Sequence, residues 1–197
     1  MLAQQRKKQQ REEQIMLSLA NLTYATRNQL QTVNNLGGDR NAHRILHRME
    51  KNKLISSIRT GRKIYFLSNK GKNVIGSEQG ELKKKMITHT LMRNDLYLKF
   101  KQPDDWAKEV PIKQNGEIVL IPDAMFTKND QYHFVEIDNK QSMRTNYDKI
   151  KRYADLFKMI FKQYKHHPTL IWYTLSDVRK QKLGDECKKY GIKFITF

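Results

Sequence analysis

The sequence predicts a mixed α/β (α+β) protein with two domains, and three observations support this fold class. Helical and strand periodicities alternate along the chain, and its 197 residues can hold two small domains. Gly76 and Gly80 interrupt the helical pattern, which places a boundary between residues 12–76 and residues 77–197. Positive charge is unevenly spread, because the first 76 residues contribute +11 to a net charge of +18. Such an excess predicts an acidic polymer as the partner.

The first domain opens with three helices. Residues 1–11 are basic and lack an apolar segment behind them, so they are expected to form a basic flexible arm or an extension of the first helix. The first helix covers residues 12–22, and Thr26 can cap a short second helix. Asp39 follows a pair of glycines and is expected to cap the third helix. The predicted apolar stripe of the first helix comprises Ile15, Leu17, Leu19 and Leu22.

The third helix has two chemically different faces. Its apolar residues recur at i, i+3, i+4 and i+7, and they are Ala42, Ile45, Leu46 and Met49. The opposite face carries hydrogen-bond donors suited to bases and phosphates: Arg40, Asn41, His43, Arg44, His47, Arg48 and Lys51. This combination is typical of a helix that packs on its domain and enters the major groove of duplex DNA. His43 and His47 also have a metal-ligand spacing, but no suitable third ligand accompanies them, which favours a groove-facing or solvated pair.

A β-hairpin is predicted next, with strands over residues 54–58 and 63–67. Gly61 supplies the positive φ that such a tight connection often needs. Ser68 then caps another short helix. The residues that crowd the hairpin tip, and that are expected to contact phosphates or the minor groove, are Arg59, Arg62 and Lys63.

The order of helices, hairpin and helix over residues 12–76 resembles the winged helix-turn-helix family. The segment Leu67-Ser68-Asn69-Lys70-Gly71 resembles the one that closes the wing in that family. The resemblance implies a domain that binds double-stranded DNA through the third helix and the hairpin. A winged helix can instead dock another protein or dimerise, and the basic third helix and hairpin tip favour DNA over that alternative.

The second domain is expected to begin with a helix over residues 78–100. An extended segment around residues 106–112 and a turn at Asn115-Gly116 precede a hairpin. Its two strands cover residues 119–126 and 132–140. The remaining predicted elements are a helix over residues 146–164, a strand over 169–174, a helix over 177–189 and a strand over 192–197.

Acidic residues on the predicted hairpin form a second candidate site. Because side chains alternate along a strand, Glu136, Asp138 and Lys140 share one face, and Asp123 is expected on the partner strand. The pattern leaves two interpretations open. These residues can form the solvated face of a half-covered antiparallel sheet. Alternatively, Asp123, Glu136 and Asp138 can hold Mg²⁺ or Mn²⁺, which prefer oxygen ligands.

Helix, three strands, helix and strand is an order that resembles the PD-(D/E)xK nuclease superfamily, with Pro122-Asp123 and Glu136 at its first two metal-binding positions. The resemblance implies Asp123 and Glu136 as metal ligands and catalytic residues. In a metal-dependent endonuclease or nickase, Asp138 would join them as a third ligand and catalytic residue. Asp138 occupies the position of the superfamily's lysine, which is thought to position the attacking water. If the domain cleaves DNA, the lysines expected to replace it are Lys140, Lys149 and Lys151.

Nearly the whole chain resembles the replication-relaxation family of plasmids, phages and other mobile elements of Gram-positive bacteria. The resemblance is carried by His89-Thr90-Leu91, Asn94-Asp95-Leu96, Pro122-Asp123-Ala124, Val135-Glu136-Ile137-Asp138 and residues 149–153. It implies a site-specific DNA-binding protein that acts in replication or mobilisation together with other proteins of those processes. It also implies a nuclease-like domain with absent or reduced catalysis. A Mg²⁺- or Mn²⁺-dependent endonuclease or nickase and a transcription repressor remain as alternatives.

Composition indicates the cellular compartment in which the protein is expected to act. The single cysteine, Cys187, excludes an intramolecular disulfide and fits a reducing cytoplasm. No apolar run approaches the roughly 20 residues that cross a bilayer, so a cytoplasmic protein without a membrane partner is expected. A homodimer is one expected assembly, because a single winged helix reads only a short half-site.

Overall fold

The computed structural model of the chain describes residues 2–80 and 83–197 and contains two compact units. Unit 1 extends up to Lys99, and unit 2 covers Phe100–Phe197. This division falls later than the boundary expected near Gly76 and Gly80, because the helix before Lys99 packs within unit 1. Residues 81 and 82, which the sequence pattern assigned to that helix, lie outside the described residues.

Unit 1 contains five helices and three short strands within its described residues. They are α1 (Leu2–Leu22), β1 (Ala25–Thr26), α2 (Arg27–Val33), α3 (Asp39–Lys51), β2 (Ile55–Thr60), β3 (Arg62–Leu67), α4 (Asn69–Ile75) and α5 (Lys84–Lys99). The strands form an antiparallel sheet in the order β1-β3-β2. The two-residue strand β1 was missed by the sequence analysis, because two residues are too few to show a periodicity.

The helix starts agree with the sequence pattern at some positions and differ at others. Thr26 and Gln29 form a reciprocal capping box at the start of α2, as the polar side chain of Thr26 predicts. The N-cap of α3 is Gly38 without a side-chain bond, and Asp39 is instead the first helical residue. α1 begins at Leu2, so the expected arm over residues 1–11 is helical from Leu2 onward.

The core of unit 1 joins α1, α3 and the sheet. Leu17 is 46% exposed, contrary to the expected stripe, and Met16 is buried in its place. A Cβ at Gly71 would lie 1.9 Å from the Leu54 carbonyl oxygen, so only glycine allows α4 to approach this closely. Among the residues of the central cluster are Ile15, Leu19, Ile45, Leu46, Met49 and Leu67.

Helix α5 is fastened to unit 1 by buried polar groups as well as by apolar packing. Asn94 Nδ2 donates to the carbonyl oxygens of Leu22 at 3.1 Å and Tyr24 at 2.8 Å. Gln29 Nε2 donates to the Leu91 carbonyl oxygen at 2.9 Å. The two Asn94 bonds satisfy carbonyl groups between α1 and α2, and the Gln29 bond joins α2 to the backbone of α5, so α5 is a structural part of unit 1.

Unit 2 is a mixed sheet with helices. Its elements are β4 (Ile112–Gln114), β5 (Glu117–Leu120), β6 (Ala124–Lys128), β7 (Gln131–Asp138), α6 (Met143–Tyr164), β8 (Thr169–Thr174), α7 (Asp177–Lys189) and β9 (Phe194–Thr196). The main sheet has the order β6-β7-β8-β9, with an antiparallel β6-β7 pair and parallel pairs elsewhere. The expected mixed α/β architecture with a mixed sheet is therefore confirmed.

The apolar run over residues 119–126 is two strands and not one. β5 ends at Leu120 and pairs with β4, whereas β6 begins at Ala124 and pairs with β7. Pro122 lies between them, where its missing N–H costs no ladder hydrogen bond. Asp123 is consequently in the connection before β6 and not on the partner strand. Lys140 likewise lies beyond β7, which ends at Asp138.

The core of unit 2 lies between the sheet and α6 and α7. Phe134 on β7 packs against Tyr153 and Phe157 on α6, with ring centroids 5.7 and 5.6 Å apart. Trp172 on β8 and Cys187 on α7 are fully buried. Within residues 2–80 and 83–197, no helix combines the length and apolarity that crossing a membrane requires.

Candidate functional site

Helix α3 presents the first candidate site. Its four predicted apolar residues, Ala42, Ile45, Leu46 and Met49, are completely buried. The basic and imidazole side chains that lie on the opposite, exposed face are Arg40, His43, Arg44, His47 and Lys51. The separation of faces predicted from the sequence is thus confirmed, and the exposed face is free of apolar side chains that would need a protein cover.

Two other residues predicted for DNA contact, Asn41 and Arg48, take part in bonds within unit 1. Asn41 Nδ2 donates to the Leu36 carbonyl oxygen at 2.7 Å, and Asn41 Oδ1 accepts from Arg44 at 2.8 Å. Arg48 Nε donates to Glu12 on α1 at 3.2 Å. Asn41 therefore orients Arg44, while Arg48 contributes to holding α1 against α3.

The β2-β3 hairpin places Arg59 and Arg62 at its exposed tip, on either side of Gly61, whose φ is +75°. Lys63 lies lower on β3, and its Nζ contacts Glu50 on α3 at 2.6 Å. Burial would raise the pKa of Glu50, but hydrogen bonds from Lys63 and Ser57 lower it. The two arginines, and not Lys63, are thus the cations of the tip that remain available to a ligand.

A groove of about 530 Å³ lies within unit 1 between the hairpin, α2, α3 and α5. Burial raises the pKa of Asp95, its acidic residue, against the lowering effect of a hydrogen bond from Gln29. Arg27 adds a cation that the sequence analysis missed, because only the fold brings α2 beside the hairpin. The charged and imidazole residues that line the groove are Arg27, His43, Arg59, Arg62, Lys63 and Asp95.

Glu136 on β7 is the centre of the second candidate site. Its side chain has no exposed area, and it accepts from Lys149 Nζ at 2.5 Å and from Tyr153 Oη at 2.8 Å. Burial, followed by the nearby Asp123 carboxylate, raises the pKa of Glu136 to about 8. Tyr153 is buried beside Glu136, and its pKa is raised well above the usual value by burial and by that carboxylate.

Asp138 lies on the same face of β7 in a different electrostatic setting. Arg179 on α7 donates from Nε and Nη2 to its two oxygens, each at 2.6 Å, and Asn146 Nδ2 donates at 2.9 Å. Burial would raise the pKa of Asp138, but the hydrogen bond from Arg179, followed by the one from Asn146, lowers it. Asp138 is therefore a buried anion with a bidentate arginine partner.

Asp123 reaches β7 through the backbone. Its Oδ2 accepts from the Ile137 N–H at 2.6 Å, and its own N–H donates to the Val135 carbonyl oxygen at 3.0 Å. These bonds hold the loop before β6 on β7, next to Glu136. The structure thus brings Asp123 close to Glu136 as the sequence analysis expected, although Asp123 approaches from a loop.

Lys149 is the lysine that contacts Glu136, whereas the side chains of Lys140 and Lys151 are exposed. Sequence reasoning missed Tyr153, Asn146 and Arg179. A signal for the first two existed, since polar residues interrupt the apolar stripe of α6 at helical spacing. No local signal marked Arg179, because it comes from another helix.

The donor set does not fit a bound divalent cation as it stands. Both oxygens of Glu136 and both oxygens of Asp138 accept hydrogen bonds from protein donors. In the part of the chain that the structure describes, no group of three or more His, Cys, Asp or Glu side chains is placed to hold a metal ion. The cluster as arranged neutralises its carboxylates internally.

Comparison with known proteins adds one positive result. A family model described as replication-relaxation matches residues 16–170, which is more than half of the chain and includes parts of both units. No curated protein and no solved structure matches the chain.

Proposed function

Because the chain belongs to the replication-relaxation family, we propose that it is a site-specific double-stranded DNA-binding protein that acts in replication or mobilisation of a plasmid or phage. The family assignment itself points to a role connected with replication and mobile elements. The observation that carries the DNA-binding step is the exposed basic face of α3 together with Arg59 and Arg62 at the hairpin tip.

In this proposal unit 1 acts as a winged helix-turn-helix. Its support is the order of α2, α3 and the β2-β3 hairpin, with α3 packed through one face and exposed on the other. Helix α3 enters the major groove, where Arg44, oriented by Asn41, donates to a base edge. The hairpin is the wing, and Arg59 and Arg62 neutralise phosphates beside the reading helix.

Electrostatics also support this division of roles. The net charge of +18 attracts a polyanion of any sequence. Each phosphate that the protein neutralises makes the binding affinity depend more steeply on salt concentration. Arg59 and Arg62 would supply this salt-dependent part of the affinity without sequence preference, because phosphates are alike at every base pair. A base-edge contact from Arg44 would supply specificity, worth about 1–3 kcal/mol for one good bidentate pair.

Unit 2 serves as a folded partner of the DNA reader in this proposal. Its polar centre on β7 is buried and satisfied by Lys149, Tyr153 and Arg179, which gives it a structural role. Contacts that unit 2 makes with nucleic acid or with replication and mobilisation proteins would then come from its surface. In this proposal, DNA recognition by unit 1 does not depend on the buried cluster of unit 2.

The test begins with footprinting of the full chain on DNA from the element that encodes it, which locates the bound sequence. Fluorescence anisotropy then measures binding of that duplex by the wild type, Arg44→Ala and Arg62→Ala. We expect Arg44→Ala to lose preference at one base pair. We expect Arg62→Ala to weaken specific and random duplexes equally and to reduce the slope of log K against log salt by about 0.9.

Lys182→Ala is the matched control, because Lys182 is an exposed cation on α7 in unit 2. Its effect should be far smaller than that of Arg62→Ala if the hairpin binds phosphates. An unchanged sequence preference in Arg44→Ala and in Arg40→Ala would overturn the assignment of α3 as the reader. A footprint confined to a promoter operator would identify a transcription repressor and not a replication or mobilisation protein.

A further inference from the structure

One end of unit 2 carries a group of aromatic side chains, which we call the aromatic end. They lie where α6 finishes and where β7 begins, and they are Tyr132, Phe161, Tyr164, His166 and His167. The Phe161 and His167 rings are stacked, with centroids 4.4 Å apart and an interplanar angle of 20°. Tyr132 contacts Tyr164 and His166 edge-on, at centroid distances of 6.0 and 5.1 Å.

Two large rings of the aromatic end are unusually accessible to solvent. Phe161 is 43% exposed and Tyr164 is 52% exposed, and both lie in the last turn and a half of α6. Ile160, the residue before Phe161, is the one that is buried on α6. Leaving such rings in water has a free-energy cost, so a cluster of them marks a surface that contacts something.

A groove of about 220 Å³ runs beside these rings. Its lining comprises Ala154, Phe157, Lys158, Phe161, His167, Pro168, Tyr190, Gly191, Ile192 and Lys193, and among these described residues none is acidic. This volume is below the roughly 300–1,000 Å³ of sites that enclose a small molecule. The groove is therefore too small to enclose a drug-sized molecule.

Lysines surround the aromatic end. Lys162 and Lys165 are exposed at the end of α6, and Lys193 lies between the groove and Gln131, to which its Nζ donates at 3.0 Å. Lys158 contacts Asp155 at 3.7 Å, but both side chains are more than 70% exposed, so water screens that pair strongly. The rings are thus set in a basic surface, which disfavours an apolar protein segment and favours a polyanion.

We propose that the aromatic end binds single-stranded DNA, with unpaired bases stacking on Phe161 and Tyr164 and with Lys158, Lys162 and Lys193 contacting the phosphates. Exposed rings set among cations are the combination that single-strand binding uses, because every base has a stacking face. Duplex DNA does not fit this surface, since its bases are already stacked on each other. The site is separate from the α3 surface of unit 1 and extends the function proposed above.

The experiment measures anisotropy of fluorescein-labelled oligo(dT) and of a random duplex with the full chain and its variants. We expect Phe161→Ala/Tyr164→Ala to weaken oligo(dT) binding by about tenfold or more and duplex binding by less than about twofold. Arg44→Ala/Arg62→Ala should show the opposite pattern. If the duplex-binding proposal is wrong, Arg44→Ala/Arg62→Ala will bind the duplex as the wild type does. If the single-strand proposal is wrong, Phe161→Ala/Tyr164→Ala will bind oligo(dT) as the wild type does.

Met159→Ala is the matched control, because Met159 is 40% exposed on the same helix but has no ring. Phe161→Trp should retain oligo(dT) binding, and its added tryptophan fluorescence should be quenched on binding, which a purely electrostatic contact would not cause. Lys158→Ala/Lys162→Ala should reduce the salt slope for oligo(dT) by about 1.4. Circular dichroism of each variant verifies its fold.

Three outcomes overturn the proposal. One is oligo(dT) affinity in Phe161→Ala/Tyr164→Ala equal to that of the wild type. A second is tighter binding of oligo(rU) than of oligo(dT), which would assign the surface to RNA. The third is wild-type self-association in sedimentation velocity that disappears in Phe161→Ala/Tyr164→Ala, which would mean that the rings hold a second copy of this chain.

Discussion

Charged side chains have opposite surroundings on α3 of unit 1 and on β7 of unit 2. On α3, the cations Arg40, Arg44 and Lys51 stand in water opposite a buried apolar stripe. On β7, Glu136 and Asp138 are buried and each has cationic and neutral donors from helices. Exposed charges can be exchanged for a ligand's charges at little cost, whereas the buried Asp138 carboxylate is committed to Arg179 and Asn146. The comparison therefore supports the proposed role of α3 in recognition and a structural role for the carboxyl groups of β7.

Among the substitutions that test this comparison, Arg179→Ala should cause the largest loss of stability. It would leave Asp138 buried with a negative charge and without its bidentate partner, which we expect to destabilise the protein by about 3–5 kcal/mol. Urea denaturation of the full chain measures this. Lys188→Ala, which removes an exposed partner of Asp185, is the control and should cost less than about 1 kcal/mol. Equal midpoints for the two variants would mean that Asp138 is not a committed buried charge.

Glu136 should make the stability of the wild type depend on pH. Its pKa is about 8 in the folded protein against 4.5 for an ordinary glutamate, so between these values the folded state holds more protons than the unfolded one. Below about pH 4.5 the carboxyl group is protonated in both states and does not lower the free energy of unfolding. Between about pH 4.5 and pH 8 the free energy of unfolding should fall by at most about 1.4 kcal/mol per pH unit. Denaturation of the wild type and of Glu136→Gln at pH 5, 7 and 9 measures the difference.

In Glu136→Gln this part of the pH dependence should disappear, because the amide does not titrate in that range. A wild-type profile parallel to that of Glu136→Gln would show that Lys149 keeps Glu136 ionised in the folded protein at all three pH values.

Replacing a cation on the exposed face of α3 should hardly change stability. For Arg44→Ala and Lys51→Ala we expect shifts within about 0.5 kcal/mol in the same denaturation experiment, because neither side chain is buried. Arg48→Ala should cost more than either, since Arg48 holds Glu12 on α1. A large loss of stability in Arg44→Ala would make any loss of DNA binding by that variant a folding effect.

We expect the protein not to cleave DNA. Because donors from the protein occupy the oxygens of Glu136 and Asp138, supercoiled plasmid incubated with the full chain should stay uncut with Mg²⁺, with Mn²⁺ and with chelator. The control is Asp123→Ala/Glu136→Ala under the same conditions. Metal-dependent nicking by the wild type that is absent from the control would replace the structural role of β7 with an enzymatic one and would favour the nickase alternative.

Several elements could be predicted from sequence because their signals are local. The four-residue apolar stripe of α3, the caps Thr26 and Ser68, and the bounds of β8 and α7 follow from periodicity and side-chain capping within a few residues. The alternation on β7 likewise placed Glu136 and Asp138 on one face. Hydrophobic spacing and backbone hydrogen-bond geometry decide such features, so nearby residues are sufficient to reveal them.

The tertiary structure decided which residues meet. Whether Lys140, Lys149 or Lys151 reaches Glu136 depends on where β7 ends and on how α6 crosses the sheet, and the structure selects Lys149. Arg179 meets Asp138 because the parallel β7-β8 pairing brings the start of α7 beside the end of β7. The aromatic end forms in the same way, from residues at the ends of separate elements. Such contacts join positions far apart in sequence, and only the packing of complete elements fixes their distances.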